Sequence, residues 1–182
     1  IVALGDSLTA GYQLPASAAF PVQLQAALRA KGLAVEVANA GVSGDTSSGG
    51  LARLDWSVPD GTDAVILELG ANDMLRGIDP SVTHTALATI IRRLQERKIA
   101  ILLCGMLAAP NFGADYARAF DAIYPQLAAN HDLTFYPFFL DGMVADRKLL
   151  QSDGLHPTAE GVAAIVDRIL PKVEALIARV QT

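Results

Sequence analysis

Five residues have types that could do chemistry together: Ser7, Gly44, Asn72, Asp153 and His156. A serine hydroxyl is a poor nucleophile and needs a base within hydrogen-bond reach. His156 is the candidate base, since imidazole takes up a proton near neutrality. Asp153 stands three residues earlier. In a turn running into a helix, that spacing brings its carboxylate to one ring nitrogen, where it fixes the tautomer and stabilises the imidazolium. Donors for a developing oxyanion would be the backbone N–H groups of Ser7 and Gly44 and the side-chain amide of Asn72. Each is worth about 3 kcal/mol of barrier. Every one of these residues also has a purely structural reading. Ser7 is a good N-cap, Gly44 a turn glycine and Asn72-Asp73 an Asx-turn. Asp153-Gly154 reads as a turn and His156-Pro157 as a stop before the last helix. Asp6 is expected to hold the Ser7 turn by hydrogen bonds without entering the chemistry.

Elements must bring these scattered positions to one place. Apolar runs predict five strands: Ile1 to Leu4, Val35 to Ala38, Ala64 to Leu69, Ile99 to Cys104 and Thr134 to Tyr136. Helical spacing predicts a helix opening in 15–20 and running to Lys31, with Val22, Leu24 and Leu28 apolar and Gly32 as its stop. Further helices start at Thr46, carrying Leu51 and Leu54, and at Asp79-Pro80, an N-cap and N1 proline. Two more are expected over 115–130 and 158–180, the last bent near Pro171. Strand and helix alternate five times, and the strands are apolar runs with little alternation. That predicts a five-stranded parallel sheet with helices on both faces, a three-layer α/β/α fold of flavodoxin-like strand count. No linker or repeat divides residues 1–182, so a single domain is expected. In such a sheet the loops after the strands share one edge, where Ser7, Gly44 and Asn72 fall.

Composition narrows the function classes. The 182 residues are 52% hydrophobic and 18% charged, with net charge −5, which argues against disorder and against nucleic acid as a partner. Runs such as 99–103 are too short to span a bilayer. The single cysteine, Cys104, excludes an internal disulfide and reads as a buried small hydrophobe. His84, His131 and His156 lie far apart and no cysteine pair exists, so no metal site is suggested. His131 reads as a partner of a helix end, and His84 gets no role. The sequence lacks the Gly-x-Ser-x-Gly elbow of α/β-hydrolases and both glycine-rich nucleotide fingerprints. It begins inside a strand without Met, which raises the expectation of upstream processing and of a periplasmic or secreted protein, with the cytoplasm as the other option.

Four blocks in order extend over nearly the whole chain: Gly5-Asp6-Ser7-Leu8, Gly44 within 39–46, Gly70-Ala71-Asn72-Asp73, and Asp153-Gly154-Leu155-His156-Pro157. They resemble the blocks of the SGNH, or GDSL, hydrolases. The stretches 43–47 and 49–54 look like the arylesterases and the thioesterase I/protease I/lysophospholipase group within that family. The resemblance implies a Ser7–Asp153–His156 triad and an oxyanion hole of Ser7, Gly44 and Asn72. It also implies ester hydrolysis through an acyl-enzyme, with a small-molecule ester as partner and no metal or cofactor. Ala71 stands where relatives often have Gly, a change expected to alter the approach of the acyl chain slightly. The acyl group is expected between the loop after Asn72 and the loop around Phe112, against Met74, Leu75, Ala108, Pro110, Phe112 and Leu155. The main reading is an esterase for aryl and short-to-medium acyl esters. The alternatives are an acyl-CoA thioesterase or lysophospholipase, a carbohydrate O-deacetylase or acyltransferase on the same triad, and a non-catalytic flavodoxin-like binding module.

Overall fold

The computed structural model describes residues 1–143 and 146–180. Its strands are β1 (Val2–Gly5), β2 (Ala38–Gly41), β3 (Ala64–Glu68), β4 (Ala100–Cys104) and β5 (Thr134–Tyr136). All pair in parallel, in the order β2-β1-β3-β4-β5. The helices are α1 (Ser7–Ala10), α2 (Phe20–Ala30), α3 (Ser47–Ala52), α4 (Leu54–Ser57), α5 (Ala71–Leu75), α6 (Pro80–Glu96), α7 (Ala114–Asp121), α8 (Ile123–Asn130) and α9 (Ala159–Val180). Helices α2 and α9 pack together over one face of the sheet, and α3, α6 and α8 cover the other. Residues of either parity are therefore buried along the central strands: Val65, Ile66 and Leu67 are all 0% exposed. This is the physical reason that those strands are apolar almost throughout, with Glu68 at the end of β3 as the exception.

The strand order fixes where a ligand can sit. The chain leaves β1 for β2 on one side, then returns to β3 on the other. The loops after β1 and β3 therefore part company at the carboxyl ends of the strands, leaving a crevice between them. Ser7 follows β1 and Asn72 follows β3, so they stand on its two sides.

Several elements differ from expectation. Strand β2 begins at Ala38, not Val35. Register with β1 pairs Val2 with Ala38 and Gly5 with Gly41, while the Val37 N–H is taken by the Gln25 side chain at 2.8 Å. Small residues form this edge strand because α1 presses on it; a Cβ on Gly41 would lie 2.3 Å from the Ala10 nitrogen. The segment expected as one helix over 115–130 is two, α7 and α8. Pro125 has no N–H for the Asp121 carbonyl and its ring crowds that carbonyl, so the helix stops there. Helix α2 is preceded by a 3₁₀ turn over Ala16–Ala18. Its buried positions are Phe20, Pro21, Leu24 and Leu28, whereas Val22 faces solvent. Helix α6 starts at the expected Asp79-Pro80 pair, with the Asp79 carboxylate accepting the Ser81 N–H at 2.8 Å. Helix α9 continues through Pro171, and the carbonyl left without its helical partner belongs to the exposed Asp167.

Candidate active site

Strand β1 runs directly into α1 through Asp6, whose Oδ1 accepts the Leu8 N–H at 2.9 Å. Asp6, not Ser7, is therefore the N-cap, and the Ser7 side chain is left free for another partner. Ser7 occupies the first turn, where helical N–H groups have no internal acceptor. Its hydroxyl lies 2.9 Å from His156 Nε2. His156 Nδ1 lies 2.6 Å from Asp153 Oδ2. The other Asp153 oxygen accepts the Leu155 and His156 N–H groups at 2.9 and 3.0 Å. Burial alone would raise the Asp153 carboxyl, but these two N–H groups and the His156 ring pull it down to about 2. It is thus a carboxylate at any working pH, an acceptor that favours the tautomer with its proton on Nδ1 and Nε2 turned to the serine.

The loop carrying this pair is closed on itself. Gln151 N–H donates to the His156 carbonyl at 2.8 Å, and the Gln151 amide reaches the carbonyls of Pro157 and Tyr12, each at 2.9 Å. Tyr12 lays its ring against the imidazole, centroids 4.5 Å apart. It arrives there because Gly11 takes a left-handed conformation, φ 83°, and turns the chain after α1.

The loop after β2 is held by Arg53. Its guanidinium donates to the carbonyls of Gly5 at 2.8 Å and Ala40 at 2.9 Å, and to Asp45 at 2.6 Å. One buried cation thus ties the ends of β1 and β2 to the loop that carries Gly44. Gly44 has φ +83°, a conformation that a side chain would strain, and its N–H has no partner among the described residues. Arg76 holds the Gly44 carbonyl at 2.6 Å. Asn72 sits in α5, whose Asp73 accepts from the Ser47 N–H at 2.8 Å and the Thr83 hydroxyl at 3.0 Å, pinning α5 to α3 and α6. The Asn72 amide donates to Asp6 Oδ2 and to the Asp45 carbonyl, both at 3.0 Å. Both partners are acceptors, which sets the orientation of the amide. A ligand oxygen arriving here competes with the Asp45 carbonyl for one amide hydrogen.

Beside Ser7 opens a cavity of about 380 Å³, lined almost wholly by apolar side chains and bounded by Asn72 and His156. Met74, Leu75, Ala108, Pro110 and Leu155 line it, at positions the sequence pointed to. Phe112 does not. It stacks instead on Tyr116, centroids 5.4 Å apart, and continues through Phe120 to Tyr124 as an aromatic row. That row holds α7 and α8 to the body, with Tyr116 donating to the Ile78 carbonyl at 2.9 Å. The missing wall comes from Met106, Leu107, Phe138, Leu140 and Met143, to which sequence reasoning gave no role. The Phe139 N–H bonds the Gly105 carbonyl at 2.9 Å, which swings the segment after β5 over the cavity. Asp121 likewise anchors Ala108 through its N–H, at 2.7 Å.

Tyr12, Arg53 and Glu68 were also missed. His131 ends α8 and meets the Gln95 side chain at 2.9 Å, and Cys104 is buried in the core. Among the described residues no cluster of three or more His, Cys, Asp or Glu could hold a metal ion. Nor is any helix among them long and apolar enough to cross a membrane.

Fold and site together are those of a GDSL-type hydrolase: residues 3–164 match the GDSL-like lipase/acylhydrolase family, and the chain belongs to it. It is similar to an arylesterase of Vibrio mimicus, 39% identical over 161 residues, 88% of this chain and 80% of that one. It is likewise similar to the thioesterase 1/protease 1/lysophospholipase L1 of Escherichia coli K12, 37% identical over 178 residues, 97% of this chain and 84% of the relative. Among solved structures, the psychrotrophic esterase EstA from Pseudoalteromonas sp., inhibited by monoethylphosphonate, superposes with TM-score 0.91 at 29% identity over 97% of each chain. The chain is a carboxylic ester hydrolase of the esterase, arylesterase and thioesterase type, and the non-catalytic binding module is set aside.

Proposed function

We propose that Ser7, His156 and Asp153 hydrolyse aryl and short-to-medium acyl esters through an acyl-enzyme. The observation that carries this is the unbroken relay of 2.6 and 2.9 Å from Asp153 through His156 to Ser7 at the mouth of an apolar cavity. Ser7 Oγ attacks the acyl carbon as its proton passes to His156 Nε2. The carbonyl oxygen becomes an oxyanion facing the N–H groups of Ser7 and Gly44 and the Asn72 amide, which turns from the Asp45 carbonyl. The alkoxide leaves with the proton from His156. Water then repeats the sequence on the acyl-serine, and its proton returns to Ser7 through the same imidazole. The same proposal takes residues 1–182 as one hydrolase domain, with export to the periplasm or medium as the family resemblance implies; cell fractionation tests the latter.

Acyl preference follows from the cavity wall. A wall that is almost wholly apolar favours an aliphatic acyl chain over a sugar-borne acetyl group. Exposed Leu75, Leu107 and Leu155 at the rim favour, as a second reading, long-chain thioesters or lysophospholipids. Turnover of p-nitrophenyl esters from acetate to palmitate separates the two. A short-to-medium optimum is expected, moving to longer chains in Phe138→Ala, which deepens the cavity, and staying put in Phe112→Ala. An optimum at palmitate supports the second reading, and no turnover with any ester would contradict both.

A further inference from the structure

Two carboxyls, Asp6 and Glu68, are buried against each other behind Ser7, 0% and 1% exposed. Parallel register sets Gly5 beside Glu68 at the ends of β1 and β3. A Cβ on Gly5 would lie 2.7 Å from Glu68 Oε2 and 2.1 Å from Thr9 Oγ1, so the glycine makes the room in which these groups meet. Their partners differ. Asp6 accepts from the Leu8 N–H and the Asn72 amide, one on each oxygen. Glu68 Oε2 accepts from the Thr9 hydroxyl at 2.8 Å and from the Asp6 N–H at 3.4 Å. Glu68 Oε1 is buried with no partner, a state that disfavours an ionised carboxylate, and the Glu68 and Asp6 carboxyls hydrogen-bond each other.

Among the described residues no cation neutralises both. The titratable and charged groups facing the pair are His156 across Ser7, Cys104 on β4, Tyr124 on α8 and Arg53 on the Gly5 carbonyl. Arg53 is ion-paired with Asp45, and Tyr124 donates to the Leu69 carbonyl. Burial pushes both carboxyls up, Glu68 further because the Asp6 charge adds to it. Two touching buried carboxyls retain one proton between them.

We infer that Glu68 is a neutral acid whose O–H donates to Asp6, keeping Asp6 ionised and its second oxygen aimed at the Asn72 amide. With one amide hydrogen locked on Asp6, the other is free to leave the Asp45 carbonyl for the substrate oxygen. Glu68 is thus a positioning residue for the oxyanion donor and touches no reacting atom. The inference rests on the reading of Asn72 as that donor. Stripping the proton at high pH sets two carboxylates against each other, breaks the grip on Asn72, and lowers kcat without changing KM.

The test pairs Glu68→Gln with Glu68→Met, measuring kcat and KM for a p-nitrophenyl ester across pH, and adds infrared spectroscopy. The glutamine amide replaces the acid O–H as donor, so kcat stays close to the parent and its fall at alkaline pH disappears. The methionine removes the donor and lowers kcat about 10²-fold at unchanged KM, the scale of losing one oxyanion donor. The parent shows a protonated-carboxyl C=O band at neutral pH that Glu68→Gln lacks and Ser7→Ala retains. Absence of that band, or a Glu68→Gln kcat about 10²-fold below the parent, overturns the inference, and neither result depends on the methionine variant folding. An Asn72→Ala variant at parent kcat, with the band present, would instead overturn the oxyanion reading beneath it.

Discussion

Ser7→Ala lowers kcat by about 10⁶-fold, and His156→Ala by a similar factor, the scale of losing a nucleophile–base unit. The two losses do not add. Once the hydroxyl is gone the imidazole has no proton to take, and once the imidazole is gone the hydroxyl stays protonated at its ordinary, unreactive state. The double variant is therefore expected at about the level of either single one. Binding changes little, because neither side chain forms the wall of the apolar cavity beyond its mouth. Steady-state kinetics on a p-nitrophenyl ester reads all three variants. Additive losses would mean that Ser7 and His156 act separately despite their 2.9 Å contact.

Asp153→Asn lowers kcat by about 10⁴-fold with the fold intact. The new side chain keeps an oxygen for the Leu155 and His156 N–H groups that hold the loop. At the second position, however, an amide N–H replaces the carboxylate oxygen 2.6 Å from His156 Nδ1. The imidazole then places its proton on Nε2, facing Ser7, and no longer serves as a base. The pH profile separates this effect from simple unfolding. Asp153 is held at about 2, so it stays ionised throughout the working range and contributes nothing to an acid limb. A parent-like rate in Asp153→Asn would remove Asp153 from the relay.

The parts of the molecule that could be read from sequence are those with a one-dimensional signature. Strand β4 and the first four residues of β3 are buried on both faces and so appear as apolar runs. Helix α6 announces its start with Asp79-Pro80. The site loops carry small and polar residues at the carboxyl ends of strands, where a parallel sheet gathers them. What escaped was decided by pairings across the fold. Strand β2 is an edge strand of small residues, so its register came from β1 and from the pressure of Ala10 on Gly41, not from hydrophobicity. Pro125 held the signal for the break between α7 and α8, and an apolar pattern continuing on both sides concealed it. The sequence places Phe112 in a loop that borders the cavity, but the side of a loop that a ring faces is set by tertiary neighbours, here Tyr116. Glu68 and Asp6 are 62 positions apart and meet only because Gly5 is in register with Glu68.

The most direct test of the central claim is covalent trapping. The enzyme is treated with a p-nitrophenyl alkylphosphonate, whose phosphorus takes the place of the acyl carbon and leaves a stable adduct on the attacking oxygen. Intact mass and peptide mapping are expected to show one adduct per chain, on Ser7, with release of one p-nitrophenolate. Labelling should vanish in Ser7→Ala and slow sharply in His156→Ala. An adduct on any other residue, or continued ester turnover by enzyme fully labelled at Ser7, would contradict the assignment of Ser7 as the nucleophile.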